Sequence, residues 1–373
     1  MNISISKNEL SNVLATASHA ITSNSPQPAL RGIKIDAKGS SLTLTASNAD
    51  ISIRCQIDAT EENHLNIYEE GSILVEAKYL NDIVRKTDAD DIKIEVIDGA
   101  LTRFSGNKAE FKINGMNPQD YPGIDFNEPQ NSVTVKASLL SEIISQTAFA
   151  ASIKETKPVL TGVNFRLEDR QLTITATDSF RLAKKIMPFD QDGSFNVTIP
   201  QKTLYEVRST MLENPEEDIR IALNDKKAQF HSSKMVLQTR LLEGGFPDTE
   251  KFVPTEFNHY LTTDREELIH AIDRTVFIKN DNMIIVRLNL SQDEVVLTNR
   301  SQEIGESNEQ LSGTFEGDPI SISFSGSYMM DACKALKGQN VKISFTGEMK
   351  PFIIRSEEDD TITQLVLPVR TYN

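Results

Sequence analysis

The chain has 373 residues, of which 25% are charged and 38% hydrophobic, so it is long enough for two or three domains and too apolar to stay disordered. A formal net charge of -15, taken alone, argues against a groove that grips nucleic acid through many phosphate contacts. Two distant cysteines, Cys55 and Cys333, exclude a disulfide framework and a CxxC zinc site, and are expected to be small buried thiols.

The first residues, MNISISKNEL, carry no basic segment leading into an apolar one, and no window nears the roughly 18 apolar residues of a membrane span. A cytoplasmic protein is expected. Ser6-Lys7-Asn8-Glu9 reads as a capping box opening a helix whose face carries Leu10, Val13, Leu14, Ala17 and Ile21. A shorter helix follows at Leu80, Ile83 and Val84, then an alternating strand IKIEVI (Ile92 to Ile97), then a turn-rich linker NPQDYPGID (Asn117 to Asp125). The same order returns. Leu140, Ile143, Ile144 and Thr147 form a helix face, Leu204 and Val207 a second, IRIAL (Ile219 to Leu223) a strand, and EGGFPDTEKFVP (Glu243 to Pro254) a linker. It returns once more with a capping box at Thr263 to Glu266, faces at Leu268, Ala271, Ile272, Thr275 and at Met329, Ala332, Cys333, Leu336, and the strand VKISF (Val341 to Phe345).

The repeat is also literal. PALRGIKI (Pro28 to Ile35) recurs about 130 residues on as PVLTGVNF, and LTLTASNAD (Leu42 to Asp50) as LTITATDSF and more faintly as VVLTNRSQE. SILVEAKYLNDIV (Ser72 to Val84) is echoed by FNVTIPQKTLYEV and SISFSGSYMMDAC. The fold class is therefore α+β: three repeated domains, each two helices packed on antiparallel sheet, over residues 1–126, 127–252 and 253–373.

Five scattered histidines offer no HExxH and no metal-ligand pair, and there is no P-loop, GxGxxG or GxSxG, so neither an enzyme nor a cofactor is expected. ITATDSFRLAKK (Ile174 to Lys185) stands out as a strand, a turn at Asp178 and Ser179, and a second strand bearing Arg181, Lys184 and Lys185. By its residues alone it reads first as a plain hairpin with a solvated basic flank. The terminal LVLPVRTYN (Leu365 to Asn373) is unusually apolar, and Leu365 and Val366 read as a buried last strand.

TATDSFRLA, KPVLTG, LLEGGFPD, SGSYMMDACKALKG, FTGEMKPFIIR and QLVLPVR together resemble the beta subunit of bacterial DNA polymerase III, the replicative DNA sliding clamp, in its Gram-positive form. The resemblance runs the whole length. It implies the DNA clamp fold, a head-to-tail ring-forming homodimer around double-stranded DNA, helices inside and sheets outside, that gives the polymerase processivity. Such a ring holds DNA by topology, so acidic outer faces beyond a Debye length of about 8 Å subtract little from a positive lining.

On that resemblance the DNA-facing residues would be Lys78, Arg85 and Lys86; Lys154, Lys157, Lys202 and Arg208; Arg265, Arg274, Lys279, Lys334 and Lys337. Lys154, Lys157 and Lys202 match family positions that touch DNA, and the others follow from helix faces. A pocket for peptides of the polymerase III alpha subunit, the clamp loader and repair proteins would be walled by Leu160, Thr177, Ser179, Phe180, Arg181, Leu182, Pro247, Phe252, Pro351, Leu365, Leu367, Pro368, Val369 and Arg370. Phe180 stands where the family commonly has histidine, and Leu367 and Val369 where it has methionines, which would narrow peptide choice. The dimer contact would set Phe111 and Ile113 against Phe277 and Ile278, with Arg103 and Lys108 facing Glu303 and Glu306, unless Phe111 and Ile113 simply fill their own core. The alternative reading is an interaction scaffold of the same fold that never encircles DNA.

Overall fold

The computed structural model describes residues 1–278 and 284–370. Helices α1 (Lys7–Ser18), α2 (Ala77–Lys86), α3 (Ala137–Thr147), α4 (Gln201–Met211), α5 (Arg265–Asp273) and α6 (Gly326–Lys334) each begin on the residue after a strand ends. The last strand residue is then the cap, and its extended backbone suits that place. At α5 the Asp264 carboxylate accepts from the Glu267 N–H at 2.8 Å, and at α6 the Ser325 hydroxyl accepts from the Tyr328 N–H at 3.4 Å. Two expectations are corrected here. Ser6 makes no side-chain cap bond, and the α5 cap is Asp264 rather than Thr263, whose hydroxyl donates instead to the Ser312 carbonyl at 2.7 Å.

The helical faces bury as their spacing requires. Leu10, Leu14 and Ala17 in α1, Ile143 and Ile144 in α3, Leu268 and Ile272 in α5, and Met329 and Cys333 in α6 are all buried. Burial pushes the thiols of Cys55 and Cys333 up to about 12, so both stay protonated and inert near neutral pH.

The chain divides into two compact units, Met1–Leu140 with Tyr205–Leu241 and Ser141–Leu204 with Leu242–Asn373. The first contains a five-stranded sheet, from Asn66–Glu69 through Asn2–Ser6, Asp91–Asp98 and Leu101–Gly106 to Ala109–Asn114, and an eight-stranded one. The second contains a nine-stranded sheet and a four-stranded one that runs from Gly305–Gln310 through Val295–Ser301 and Ile285–Leu290 to Ile320–Ser325. Among the described residues all the strand pairs are antiparallel.

One junction builds both large sheets. In the first unit Met235–Arg240, the last strand of the second repeat's closing meander, pairs with Ile51–Asp58 of the first repeat, Leu237 opposite Ile53. In the second unit Ile362–Val366, the last meander strand of the third repeat, pairs in the same way with Arg181–Pro188 of the second, Leu365 opposite Leu182. The two strands left over by this rule, Ala109–Asn114 of the first repeat and Gly305–Gln310 of the third, are both sheet edges. The third repeat's core is anchored by Phe324, Phe345 and Phe352, with Phe352 5.5 Å and 5.3 Å from the other two ring centroids.

Candidate functional site

The site grows from the turn between strands Gln171–Thr177 and Arg181–Pro188. Asp178 Oδ1 accepts from the N–H groups of Phe180 and Arg181 at 2.9 and 3.0 Å. The Thr177 hydroxyl donates to the Arg181 carbonyl at 2.6 Å and accepts from the Ser179 N–H at 3.1 Å. Ser179 sits at φ 78°, a left-handed value that such local bonds support. So closed, the turn projects Phe180 outward, 58% exposed.

Arg181 behind it is immobilised. Its Nε donates to Asp178 at 3.1 Å, one terminal nitrogen to Asp331 at 2.6 Å and the other to the Phe149 carbonyl at 2.8 Å, while the guanidinium lies 4.4 Å from the Tyr328 ring centroid. Its strand pairs with Ile362–Val366, and the chain beyond stays tethered. The Leu367 N–H donates to the Phe180 carbonyl at 2.9 Å, Pro368 bridges to Phe324, and the Val369 N–H donates to the Ser323 carbonyl at 2.7 Å. Leu182, Ile353 and Leu365 form a buried floor with half-buried Val253, Phe257 and Leu367 around it.

Leu182, Leu365 and Leu367 thus share one apolar cluster, and Phe180 and Pro368 are joined to it through the backbone. Phe252 is 63% exposed, Pro247, Ser179 and Arg370 are exposed, and Pro351 and Val369 are half-buried. Leu160 and Thr177 are buried and offer little surface. Sequence reasoning missed Ile353, Val253 and Phe257. Ile353 stands opposite Leu365, so strand alternation carried its signal; Val253 and Phe257 lie outside regular strands and carried none.

Lys185 is a correction. In place of a solvated basic flank it is 3% exposed, its ammonium donating to Glu142 at 3.0 Å, Gln146 at 2.7 Å and Thr361 at 2.8 Å, with Asp359 at 3.5 Å. Burial alone would raise the Glu142 carboxyl, but hydrogen bonds from Lys337 and Lys185 and their charges outweigh it and hold it below the usual range. Burial likewise opposes Asp359, and the Thr361 bonds with the Lys185 charge hold it low.

The expected DNA-facing cations divide into two kinds. Lys78, Lys154, Lys157, Lys202, Arg208 and Lys334 are exposed. Arg85 lies 2.6 Å and Lys86 3.7 Å from Asp82, both well exposed. Arg274 is held by Glu309 and Lys337 by Glu142, at 2.7 and 2.6 Å, so each is already part-neutralised. Arg265 is a clearer correction: it donates to the Leu336 and Gly338 carbonyls beyond α6 and pairs with Glu266, so it serves its own fold. Lys279 lies outside the described residues.

At the open edges, Phe111 is 36% exposed and Ile113 half-buried on Ala109–Asn114, while Glu306 lies on Gly305–Gln310 and Glu303 is exposed just before it. Phe277 is 66% exposed. Ile278 is a correction: it is 1% exposed inside its own core, its carbonyl accepting from Asn299. Arg103 already pairs with Glu95 and Glu110, and Lys108 is exposed.

A threefold repeat of paired helices on antiparallel sheet, joined by one recurring strand junction, is the DNA clamp fold. Residues 1–125, 134–248 and 250–370 match the N-terminal, central and C-terminal domains of the DNA polymerase III beta subunit. The beta sliding clamp of Bacillus subtilis is 36% identical over 379 residues, covering the whole of both chains, and that of Staphylococcus aureus 38% over 358 residues, covering 95% of each. The crystal structure of the Bacillus subtilis DNA polymerase sliding clamp superposes with a TM-score of 0.96 at 35% identity, and that of the Streptococcus pyogenes beta subunit with 0.95 at 31%, each covering both chains fully. The chain belongs to the DNA polymerase III beta subunit family, the sliding clamps.

Proposed function

We propose that two copies of this chain close head to tail into a ring around duplex DNA and tether the replicative polymerase to it, without catalysing a reaction. The observation that carries the reading is the strand junction. The chain uses it twice within itself and leaves its two halves, Ala109–Asn114 and Gly305–Gln310, as open edges. An open edge is an aggregation hazard unless something covers it. Pairing the two edges between copies repeats the internal junction and covers both, and two such contacts related by a twofold axis close a dimer. Phe111, Ile113 and Phe277 would supply its apolar part, and Lys108 with Glu303 and Glu306 its charges.

Domains over 1–126, 127–252 and 253–373 then give six per ring. Exposed Lys78, Lys154, Lys157, Lys202, Arg208 and Lys334 would face the phosphates, in sequence-blind contacts suited to sliding. The cluster of Leu182, Ile353, Leu365 and Leu367 under exposed Phe180 and Phe252 would anchor peptides of the polymerase III alpha subunit, the clamp loader and repair proteins. The protein would act in the cytoplasm; among the described residues no helix is long and apolar enough to cross a membrane.

Two measurements test this. The solution mass should be near twice 41.6 kDa. Protein loaded on circular duplex DNA should stay bound through a salt wash and leave when the circle is cut. A stable monomer, or equal retention on circular and linear DNA, would leave only the non-encircling scaffold.

A further inference from the structure

The sheet of the first unit carries a cleft of about 550 Å³ lined by none of the candidate site residues named above. Its floor is three adjacent strands, Gly32–Lys38, Ser41–Ser47 and Ile51–Asp58, and one bank is the linker from Tyr121 to Phe126. Cross-strand pairing arranges the floor in ranks. Lys34, Thr45 and Arg54 form one, and Lys38 with Ser41 lies four residues along, about 13 Å away at the rise of a strand. The size is that of a small-ligand or short-peptide site.

Its charge runs against that of the chain. Lys34, Lys38 and Arg54 line it against a single carboxylate, Asp36, which is already engaged by Lys34 at 3.1 Å and by the Ser72 hydroxyl. Asp58, at the end of the Lys38 rank, is likewise occupied, accepting from Ser41 and Gln56. Among the described residues neither Lys38 nor Arg54 has an ion-pair partner. Arg54 is held in place, its guanidinium 4.5 Å from the Phe126 ring centroid.

The second repeat shows what such a face takes. Its three strands, Gly162–Glu168, Gln171–Thr177 and Arg181–Pro188, repeat those of the first at one constant offset, which puts Lys184 at the place of Arg54 and Arg166 at that of Asp36. There the linker that follows supplies its own carboxylate: Glu250 lies 3.2 Å from Arg166 and 3.8 Å from Lys184. In the first repeat the linker sets Tyr121, Pro122, Gly123, Ile124 and Phe126 on the cleft, its carboxylate Asp125 is held by Lys227 at 3.2 Å, and among the described residues no carboxylate pairs with Arg54. We infer that this cleft is a docking site for an acidic peptide segment of another protein, whose carboxylates take on Arg54 the place that Glu250 takes in cis on Lys184 and also meet Lys38, where the second repeat carries Glu168. A single-stranded nucleic acid is the weaker occupant, because it requires a track of cations along its backbone and the cleft has two unpaired ones.

The test is fluorescence anisotropy of fluorescein-labelled hexaglutamate on the full-length protein at low salt. Saturable binding is expected, weakened at least tenfold in Arg54→Glu and in Lys38→Glu and unchanged in Phe180→Ala, which alters only the other pocket. Gly123→Glu places a carboxylate on the bank where an added Cβ meets nothing within 4 Å, so it should occupy the cleft in cis and weaken the probe at least tenfold with circular dichroism unchanged. Lys38 is exposed and Gly123 unencumbered, so these two variants decide the matter even if Arg54→Glu fails to fold. Undiminished binding in Lys38→Glu and Gly123→Glu would overturn the inference. So would absence of saturable binding, displacement by equimolar inorganic phosphate, or tighter binding of labelled hexathymidylate.

Discussion

Replacing Lys185 with alanine should destabilise the second unit severely and loosen with it the apolar cluster proposed to bind peptides. The ammonium is 3% exposed and makes three hydrogen bonds within 3.0 Å, to Glu142, Gln146 and Thr361. Removing one partner of a buried ion pair costs about 3–5 kcal/mol because the remaining charge is stranded. Glu142 keeps Lys337 at 2.6 Å and Asp359 keeps Thr361, which places the loss near the lower end, about 3 kcal/mol. For a unit of about 200 residues that is a fall in melting temperature of about 6–12 °C. The consequence for binding follows from position. Lys185 stands opposite Ile362 in the strand pair that ends at Leu367, so peptide affinity should fall as well. Differential scanning calorimetry, with fluorescence anisotropy of a polymerase-derived peptide, reads both effects. The pH dependence has a definite sign. Glu142 and Asp359 have depressed pKa values, so their stabilisation is present above the ordinary carboxyl range and is lost as pH falls through the depressed values. The difference between wild type and Lys185→Ala should therefore shrink in strong acid. A melting temperature within 2 °C of wild type at neutral pH would refute the reasoning, since it would mean the ammonium was never withdrawn from water.

Further outcomes can be measured. Phe180→Ala and Leu367→Asp should each weaken a polymerase-derived peptide by at least about 2 kcal/mol while leaving the dimer intact, as isothermal titration and light scattering would register. Removal of residues 367–373 should abolish that binding altogether. Phe111→Asp puts an unpaired charge on the open edge strand, and sedimentation should then show a species near 41.6 kDa in place of the dimer. Lys154→Glu with Lys202→Glu should slow loading onto circular DNA and flatten its salt dependence, with peptide affinity unchanged.

The sequence by itself determined whatever depends on neighbours along the chain. The helix faces at Leu10, Ile143 and Leu268, the strands at Ile92, Ile219 and Val341, and the turn at Asp178 and Ser179 all follow from periodicity and turn chemistry, and they lie where the residues imply. Tripling of the pattern gave the three-part plan, and the apolar tail signalled that Leu365 and Val366 form a strand. Tertiary structure alone decided the long-range partners. Nothing near Lys185 reveals that Glu142 and Asp359 surround it, and helix-face reasoning could not tell exposed Lys334 from Arg265, which is spent on the Leu336 and Gly338 carbonyls. Phe277 and Ile278 are adjacent and both apolar, yet one is exposed and the other buried, its carbonyl held by Asn299 from a distant strand. Charge and burial at such positions depend on groups brought together from distant segments, and a local pattern holds no record of which strand will lie alongside which.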